Sequence, residues 1–257
     1  VIDKYRYRFE IRPGKFAYIP TDEHRELAEK IIRKIRDRWS PLNWCYHIGK
    51  RGGHIAALRV HLPNRWRTAI DIARFFPSVT RTKLNRALKS IGFSFTESRE
   101  ISALSTVRID GKFALPYGFL QSPLLATLAL CESAFGREIN RLIDEGFCVS
   151  VYVDDVIISH PTSKRTLQDA LVRLIFEAER ASFTINTTKV QPPSEEIVAF
   201  NVLLSGSDMR VVDTRMLEFR EAVITNGKGK SSEAIIRYVE GINSAQARRL
   251  SVDLLSR

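Results

Sequence analysis

Phe147 to His160 reads FCVSVYVDDVIISH. Two short β-branched runs, Cys148 to Val153 and Val156 to Ser159, flank the adjacent carboxylates Asp154 and Asp155, which is the pattern of a tight strand, turn, strand unit. The flanking residues are apolar, so both acids stand at the rim of a core, about 5 Å apart, where they repel by roughly 3 kcal/mol at an effective dielectric of ~20. A cation belongs beside them. Hard divalent ions take oxygen ligands, which points to Mg²⁺, or to Mn²⁺ in its place. An Asp-Asp pair alone is most often a solvated turn, so the rest of the chain decides.

Thr68 to Val79, TAIDIARFFPSV, reads as an apolar strand carrying one acid, Asp71, then a turn at Pro77-Ser78 and a helix to about Ser90. An acid inside Ala69-Ile70-Asp71-Ile72-Ala73 is costly unless paired or metal-bound. One reading pairs it with Arg67 or Arg74. The other sets Asp71 opposite Asp154 on an adjacent strand, and three converging acids make a divalent-metal site.

The 257 residues, 44% of them hydrophobic, can bury a sizeable core as one large domain or a few subdomains. No apolar run approaches the ~20 residues that span a bilayer, so a soluble, cytoplasmic protein is expected, with no membrane partner. Cys45, Cys131 and Cys148 are odd in number and unclustered, which disfavours a disulfide framework or a zinc site. The net charge of +11, from 40 Lys and Arg against 29 Asp and Glu, favours a polyanionic partner, nucleic acid before membrane.

Elsewhere, Tyr5 to Ile11 alternates apolar with mostly charged residues, turns through Arg12-Pro13-Gly14-Lys15 and returns from Phe16 to Ile19, a hairpin with a basic tip. Thr21 can cap a helix with Leu27, Ile31, Ile35 and Trp39 on one face. Lys50-Arg51-Gly52-Gly53 reads as a flexible basic loop, and residues 91–114 carry little signal. Ser122 and Pro123 open one helix whose buried face runs from Leu124 to Leu142 and which ends at Gly146. Ser163 caps another, Ile197 to Leu204 is an apolar strand, and about Thr214 to Arg257 reads as two or three helices.

In chain order, an apolar strand with Asp71 before FFPS, then LPYGFLQSP at Leu115 to Pro123, YVDD in a hairpin, and INTTK at Ile185 to Lys189 before an apolar strand resembles the reverse transcriptases, in particular their bacterial retron-like and group II intron-like branch. The resemblance covers nearly the whole chain. It implies an α+β right-hand polymerase: fingers over 1–67 with part of 91–114, a palm of antiparallel sheet backed by helices over 68–206, and a small helical thumb over 207–257. It further implies an RNA template, which in retron-like enzymes is a cognate non-coding RNA, a nucleic-acid primer and dNTPs. Asp71, Asp154 and Asp155, with the Ile72 carbonyl, would hold two Mg²⁺ ions. Lys189 matches the lysine proposed to protonate pyrophosphate. Arg74 and Phe75 would offer backbone N–H groups to the triphosphate, and Lys15 stands where the family carries an arginine for it. Phe76 takes the position that blocks a ribose 2′-hydroxyl. Tyr117, beside Gly118, replaces the usual glutamine next to the incoming nucleotide. The family's small stand-alone members include defence-associated enzymes, which makes bacterial antiphage defence the expected setting. The alternative is an inactive or template-independent polymerase-like subunit that binds nucleic acid, with or without a protein partner.

Overall fold

The computed structural model describes residues 3–49 and 52–255, so Lys50 and Arg51 of the expected basic loop lie outside the described residues. The chain opens with the expected hairpin, β1 (Tyr5–Arg12) and β2 (Lys15–Pro20), turning at Pro13-Gly14. Thr21 caps α1 (Asp22–Arg36) by accepting the His24 N–H. The buried face of α1 is His24, Ala28, Ile31 and Ile35, while Leu27 and Trp39 are half-buried at its edges. Gly52 and Gly53, expected as part of a loop, instead start α2 (Gly53–Arg59).

β3 (Trp66–Asp71) leads into a short turn of helix, α3 (Phe75–Ser78), and then α4 (Arg81–Ser90), capped by Thr80. The uninformative stretch folds as α5 (Phe95–Ser105), whose Ser94 and Glu97 close a capping box, and a small hairpin of β4 (Val107–Ile109) and β5 (Lys112–Ala114). The single helix expected after Pro123 is two, α6 (Ser122–Cys131) and α7 (Ala134–Asp144). Ser133 caps the second by accepting the Gly136 N–H, and a side chain at Gly136 would come within 2.3 Å of the Cys131 carbonyl oxygen, so the helices meet at an angle only glycine allows.

β6 (Cys148–Tyr152) and β7 (Asp155–His160) form the carboxylate hairpin, followed by α8 (Lys164–Arg180) capped by Ser163. Beyond Lys189 come β8 (Gln191–Ser194), β9 (Glu196–Ala199), β10 (Val202–Ser205) and β11 (Asp208–Val211). The apolar run Ile197 to Leu204 is thus a hairpin rather than one strand. It reverses at Phe200-Asn201, both at positive φ, the backbone that a two-residue hairpin turn requires. Three helices follow, α9 (Asp213–Asn226), α10 (Lys230–Glu240) and α11 (Ser244–Leu255).

The central sheet runs β6-β7-β3-β8 with every neighbour antiparallel. Strand alternation divides its faces. Ile70, Val149, Val151, Val156 and Ile158 pack on one side with Phe135, Ile139, Leu142, Leu167, Leu171 and Leu174 from α7 and α8. Ala69 and Ile157 face the other side, where Leu58, the β11-β10-β9 sheet and the last helices form a second core. This is the antiparallel sheet backed by helices that the family resemblance implies. No helix among the described residues is long and apolar enough to cross a membrane.

Two buried polar residues lock the second face. His61, fully buried, bonds Ser159 Oγ at 2.7 Å and Ser150 Oγ at 2.8 Å, and burial drives its pKa down to about 3, so it is a neutral packing residue. Arg67, 1% exposed, donates to the carbonyls of His61 (3.1 Å), Leu62 (3.1 Å), Glu195 (2.6 Å) and Gly206. It ties the end of α2 to the turns flanking β9 and β10. Arg67→Met, which keeps the volume but leaves four acceptors without a charged donor, is expected to lower unfolding free energy by about 3 kcal/mol. Urea titration measures this, and a loss below about 1 kcal/mol would mean that water replaces those bonds.

Candidate active site

The site lies at one end of the central sheet, and the strand register builds it. β3 and β7 pair Arg67 with Ser159, Ala69 with Ile157, and finally Asp71 with Asp155. Just beyond that last pair, the Ile72 N–H donates to the Asp154 carbonyl at 2.8 Å. Asp154 occupies the two-residue turn between β6 and β7 together with Val153, whose φ of +61° is strained for a β-branched side chain.

Asp71 is only 6% exposed and is not paired with either arginine considered from sequence. Its Oδ2 accepts from Lys189 Nζ at 2.8 Å and its Oδ1 from Asn186 Nδ2 at 3.3 Å, while its carbonyl takes the Asn186 N–H at 2.9 Å. Arg67 is engaged with carbonyls as described, and the Arg74 side chain turns to Asp110 in the β4-β5 hairpin. Asn186 and Asp110 are neighbours to which the sequence reading gave no role: Asn186 lies within the quoted INTTK motif, whereas Asp110 had no signal.

Electrostatics reflects crowded like charges. Burial first, then the Asp154 and Asp71 carboxylates, push the Asp155 pKa up to about 7. Asp154 is also raised, mainly by burial, with Lys15 and Lys189 pulling the other way. The Lys189 ammonium is held above its ordinary value by its bond to Asp71. The donor set is hard oxygen with negative charge in excess of its neighbours, which suits Mg²⁺ or Mn²⁺. Among the described residues no three acid, histidine or cysteine side chains are grouped as a ready ion cage, and Lys189 holds Asp71 Oδ2, so an ion there would compete with Lys189 for that carboxylate.

The residues that the resemblance assigns to the incoming nucleotide form a wall beside these acids. Lys15 Nζ lies 4.2 Å from the centre of the Tyr117 ring, and the Phe76 and Tyr117 rings are 5.1 Å apart. The Tyr117 phenol is raised to about 12, chiefly by burial and then by Asp154. Tyr117 is fixed through its carbonyl, which accepts the Tyr18 N–H at 2.8 Å. Gly118, at φ +99°, is what permits this contact, since a Cβ there would be 2.3 Å from the Tyr18 carbonyl oxygen. Phe75 is buried against Phe183, and Arg74, at φ +50°, precedes α3. A cleft of about 350 Å³ bordered by Asp71 and Asp155 extends past Lys189 and Gln191 to Phe200 at the β9-β10 turn.

A right-hand polymerase palm, with carboxylates on a central strand and an adjoining hairpin, is the class that this fold and site define. The sequence profile of the reverse transcriptase (RNA-dependent DNA polymerase) family matches residues 15–200, and the chain belongs to that family. It is therefore an RNA-directed DNA polymerase by class, a nucleotidyltransferase. It is 26% identical over 242 residues to the Retron Ec86 reverse transcriptase of Escherichia coli, an alignment that covers 91% of this chain and 73% of that protein. Among solved structures it is similar to a foamy viral protease-reverse transcriptase in complex with double-stranded DNA, with a TM-score of 0.51 and 17% identity over 90% of this chain and 35% of that one. It is also similar to the telomerase of Candida albicans, with a TM-score of 0.54 and 10% identity over 91% of this chain and 48% of that one. The chain thus spans less than half the length of these two structural neighbours, and the likeness concerns the fold. Reverse transcriptases generally use divalent metal ions.

The shifted carboxylates give a pH signature. Asp155 ionises at its ordinary 3.8 in the unfolded chain but at about 7 in the folded one, so between those values the folded state binds more protons. Raising the pH through that window therefore costs the metal-free protein stability, the full penalty being reached above the folded value. Melting temperature in a chelator is expected to fall from about pH 5 to pH 8, and Asp155→Asn to flatten the slope. Parallel curves for the two proteins would remove Asp155 as the cause. Metal affinity should run the other way, rising with pH as the carboxylates ionise.

Proposed function

We propose that this chain extends a nucleic-acid primer with deoxynucleoside triphosphates on an RNA template by two-metal phosphoryl transfer. The observation that carries this reading is the meeting of Asp71 and Asp155 across paired strands with Asp154 in the adjoining turn. Phosphoryl transfer asks a protein chiefly for in-line positioning and charge stabilisation. Asp71, Asp154, Asp155 and the Ile72 carbonyl would hold two Mg²⁺ ions, which Mn²⁺ can replace, and these supply activation of the primer hydroxyl and neutralisation of the leaving pyrophosphate.

The chain's own side chains account for the other requirements. Lys189, kept protonated by its carboxylate neighbours, is placed to donate a proton to the pyrophosphate leaving group. Lys15 and the backbone N–H groups of Arg74 and Phe75 bind the triphosphate. Phe76, backed by the Tyr117 ring, occupies the space a ribose 2′-hydroxyl needs, and so selects deoxynucleotides. Tyr117 and Gly118 shape the nucleotide pocket beneath Lys15. The net charge of +11 supports a long phosphate track for template and primer, with a cognate non-coding RNA as the template. The proposed setting is antiphage defence in the bacterial cytoplasm.

Primer extension with labelled nucleotides tests both halves. Asp154→Asn is expected to lower incorporation by about a thousandfold, equivalent to roughly 4 kcal/mol, with RNA binding and melting temperature nearly unchanged. Incorporation at the wild-type rate would falsify the site assignment. Phe76→Val is expected to cut the preference for dNTPs over rNTPs by roughly tenfold to a hundredfold. A variant that still excludes ribonucleotides would move sugar selection to another residue.

A further inference from the structure

Val153, in the turn that carries Asp154, adopts a backbone conformation that β-branched residues avoid, so something must hold the turn closed. Its N–H donates to Nδ1 of His47 at 3.0 Å. The other ring nitrogen of His47 lies 2.6 Å from Thr127 Oγ1, and Thr127 in turn donates to the Pro123 carbonyl at 2.8 Å. Since Nδ1 accepts, the proton resides on Nε2 and is donated to Thr127. Burial drives the His47 pKa down to about 4 against the opposing pull of the Val151 carbonyl, so this neutral form prevails near neutral pH.

The histidine is itself firmly placed. Residues 44–46 run beside β6, with Val151 N–H donating to the Trp44 carbonyl at 2.8 Å and Tyr46 N–H to the Val151 carbonyl at 2.9 Å. The Trp44 indole is pinned by Asn140 Oδ1 at 2.8 Å. A hydrogen-bonded chain therefore joins the carboxylate turn to the first turn of α6, directly after the loop that presents Tyr117 and Gly118.

We propose that His47 is a positioning residue for polymerisation: by accepting the Val153 N–H it fixes the strained turn that aims Asp154 and Asp155, and it couples that turn to the nucleotide-side loop through Thr127. It touches no substrate. The inference rests on the carboxylates being the reaction centre, and its specific element is the Nδ1 acceptor. Groups that orient metal-binding side chains commonly change activity by about tenfold to a hundredfold when removed.

Three variants separate this role from general packing. Asparagine places an amide oxygen near the position of Nδ1 and can still accept from Val153, whereas glutamine reaches toward Thr127 but leaves the Val153 N–H unmet. His47→Ala and His47→Gln are expected to lower kcat by about tenfold to a hundredfold with dNTP KM and template-primer affinity within about threefold of wild type, and His47→Asn to retain kcat within about threefold. Hydrogen–deuterium exchange on the metal-free proteins supplies a readout independent of activity. The Val153 amide should exchange faster in the alanine and glutamine variants only, with the rest of β6 and β7 protected. Wild-type kcat in His47→Ala, an asparagine variant as slow as alanine, or unchanged Val153 exchange would each overturn the proposal. If wild-type protein fails to extend a primer, the polymerase reading fails instead, and the exchange arm shows that failure to be separate from any failure of the Val153–His47 bond.

Discussion

The structure depends on the register between β3 and β7. Side chains alternate along a strand, so a slip of one residue would turn Asp71 from the acid-bearing face to the helix-packed face and bury it among Val156, Phe135 and Leu174. The register is specified from both sides. Ile70 and Ile158 must meet the helices, while Arg67, opposite Ser159, must reach carbonyls on the other face. The apolar core and one buried guanidinium therefore determine, several residues away, which carboxylates come together.

That dependence explains what could be read from the sequence. The Asp71 strand and the FCVSVYVDDVIISH hairpin were legible because each is a local pattern, an apolar run with acids placed where no core would tolerate them. So were the Thr21 and Ser163 caps and the Pro13-Gly14 turn, which act within four residues. Features that arise only from tertiary contact were not legible. The run Ile197 to Leu204 looks like one strand because Phe200 at positive φ has no sequence signature, and α2 was hidden behind two glycines. The break between α6 and α7 did have local causes, the Ser133 cap and the missing Cβ of Gly136 beside the Cys131 carbonyl, but the apolar positions running from Leu124 to Leu142 across it masked them.

The same distinction holds within the site. Three aspartates and Lys189 could be named from their motifs, but the partner of Asp71 could not. Two arginines flank Asp71 in sequence, yet Arg67, four residues back on the same face of the strand, is taken up by a row of carbonyls, and Arg74, at a left-handed backbone position, turns its side chain to Asp110. Lys189 reaches Asp71 because Asn186 bonds both the backbone and the carboxylate of that residue and so delivers the following turn to the site. Asn186 is in this sense an adapter, and its contribution is visible only once the chain has folded.

The acids and the wall of Lys15 and Tyr117 come from separate parts of the chain, and their alignment is a problem of backbone rather than of side-chain chemistry. Lys15 and Tyr117 approach because the Tyr18 N–H meets the Tyr117 carbonyl, a contact that needs the missing Cβ of Gly118. Asp154 and Asp155 are aimed by a turn whose strain at Val153 is borne by His47, and Pro123, at the far end of that bonded chain, opens the helix that follows Gly118. The conspicuous motif residues other than the acids, the glycine and proline of LPYGFLQSP and the valine of YVDD, thus specify where backbone groups lie. A glycine without room for a methyl group and a valine held at positive φ are both costly as local structure. They are understood once the two halves of the site are seen to be registered against each other through main-chain hydrogen bonds, with charge added to a frame already set.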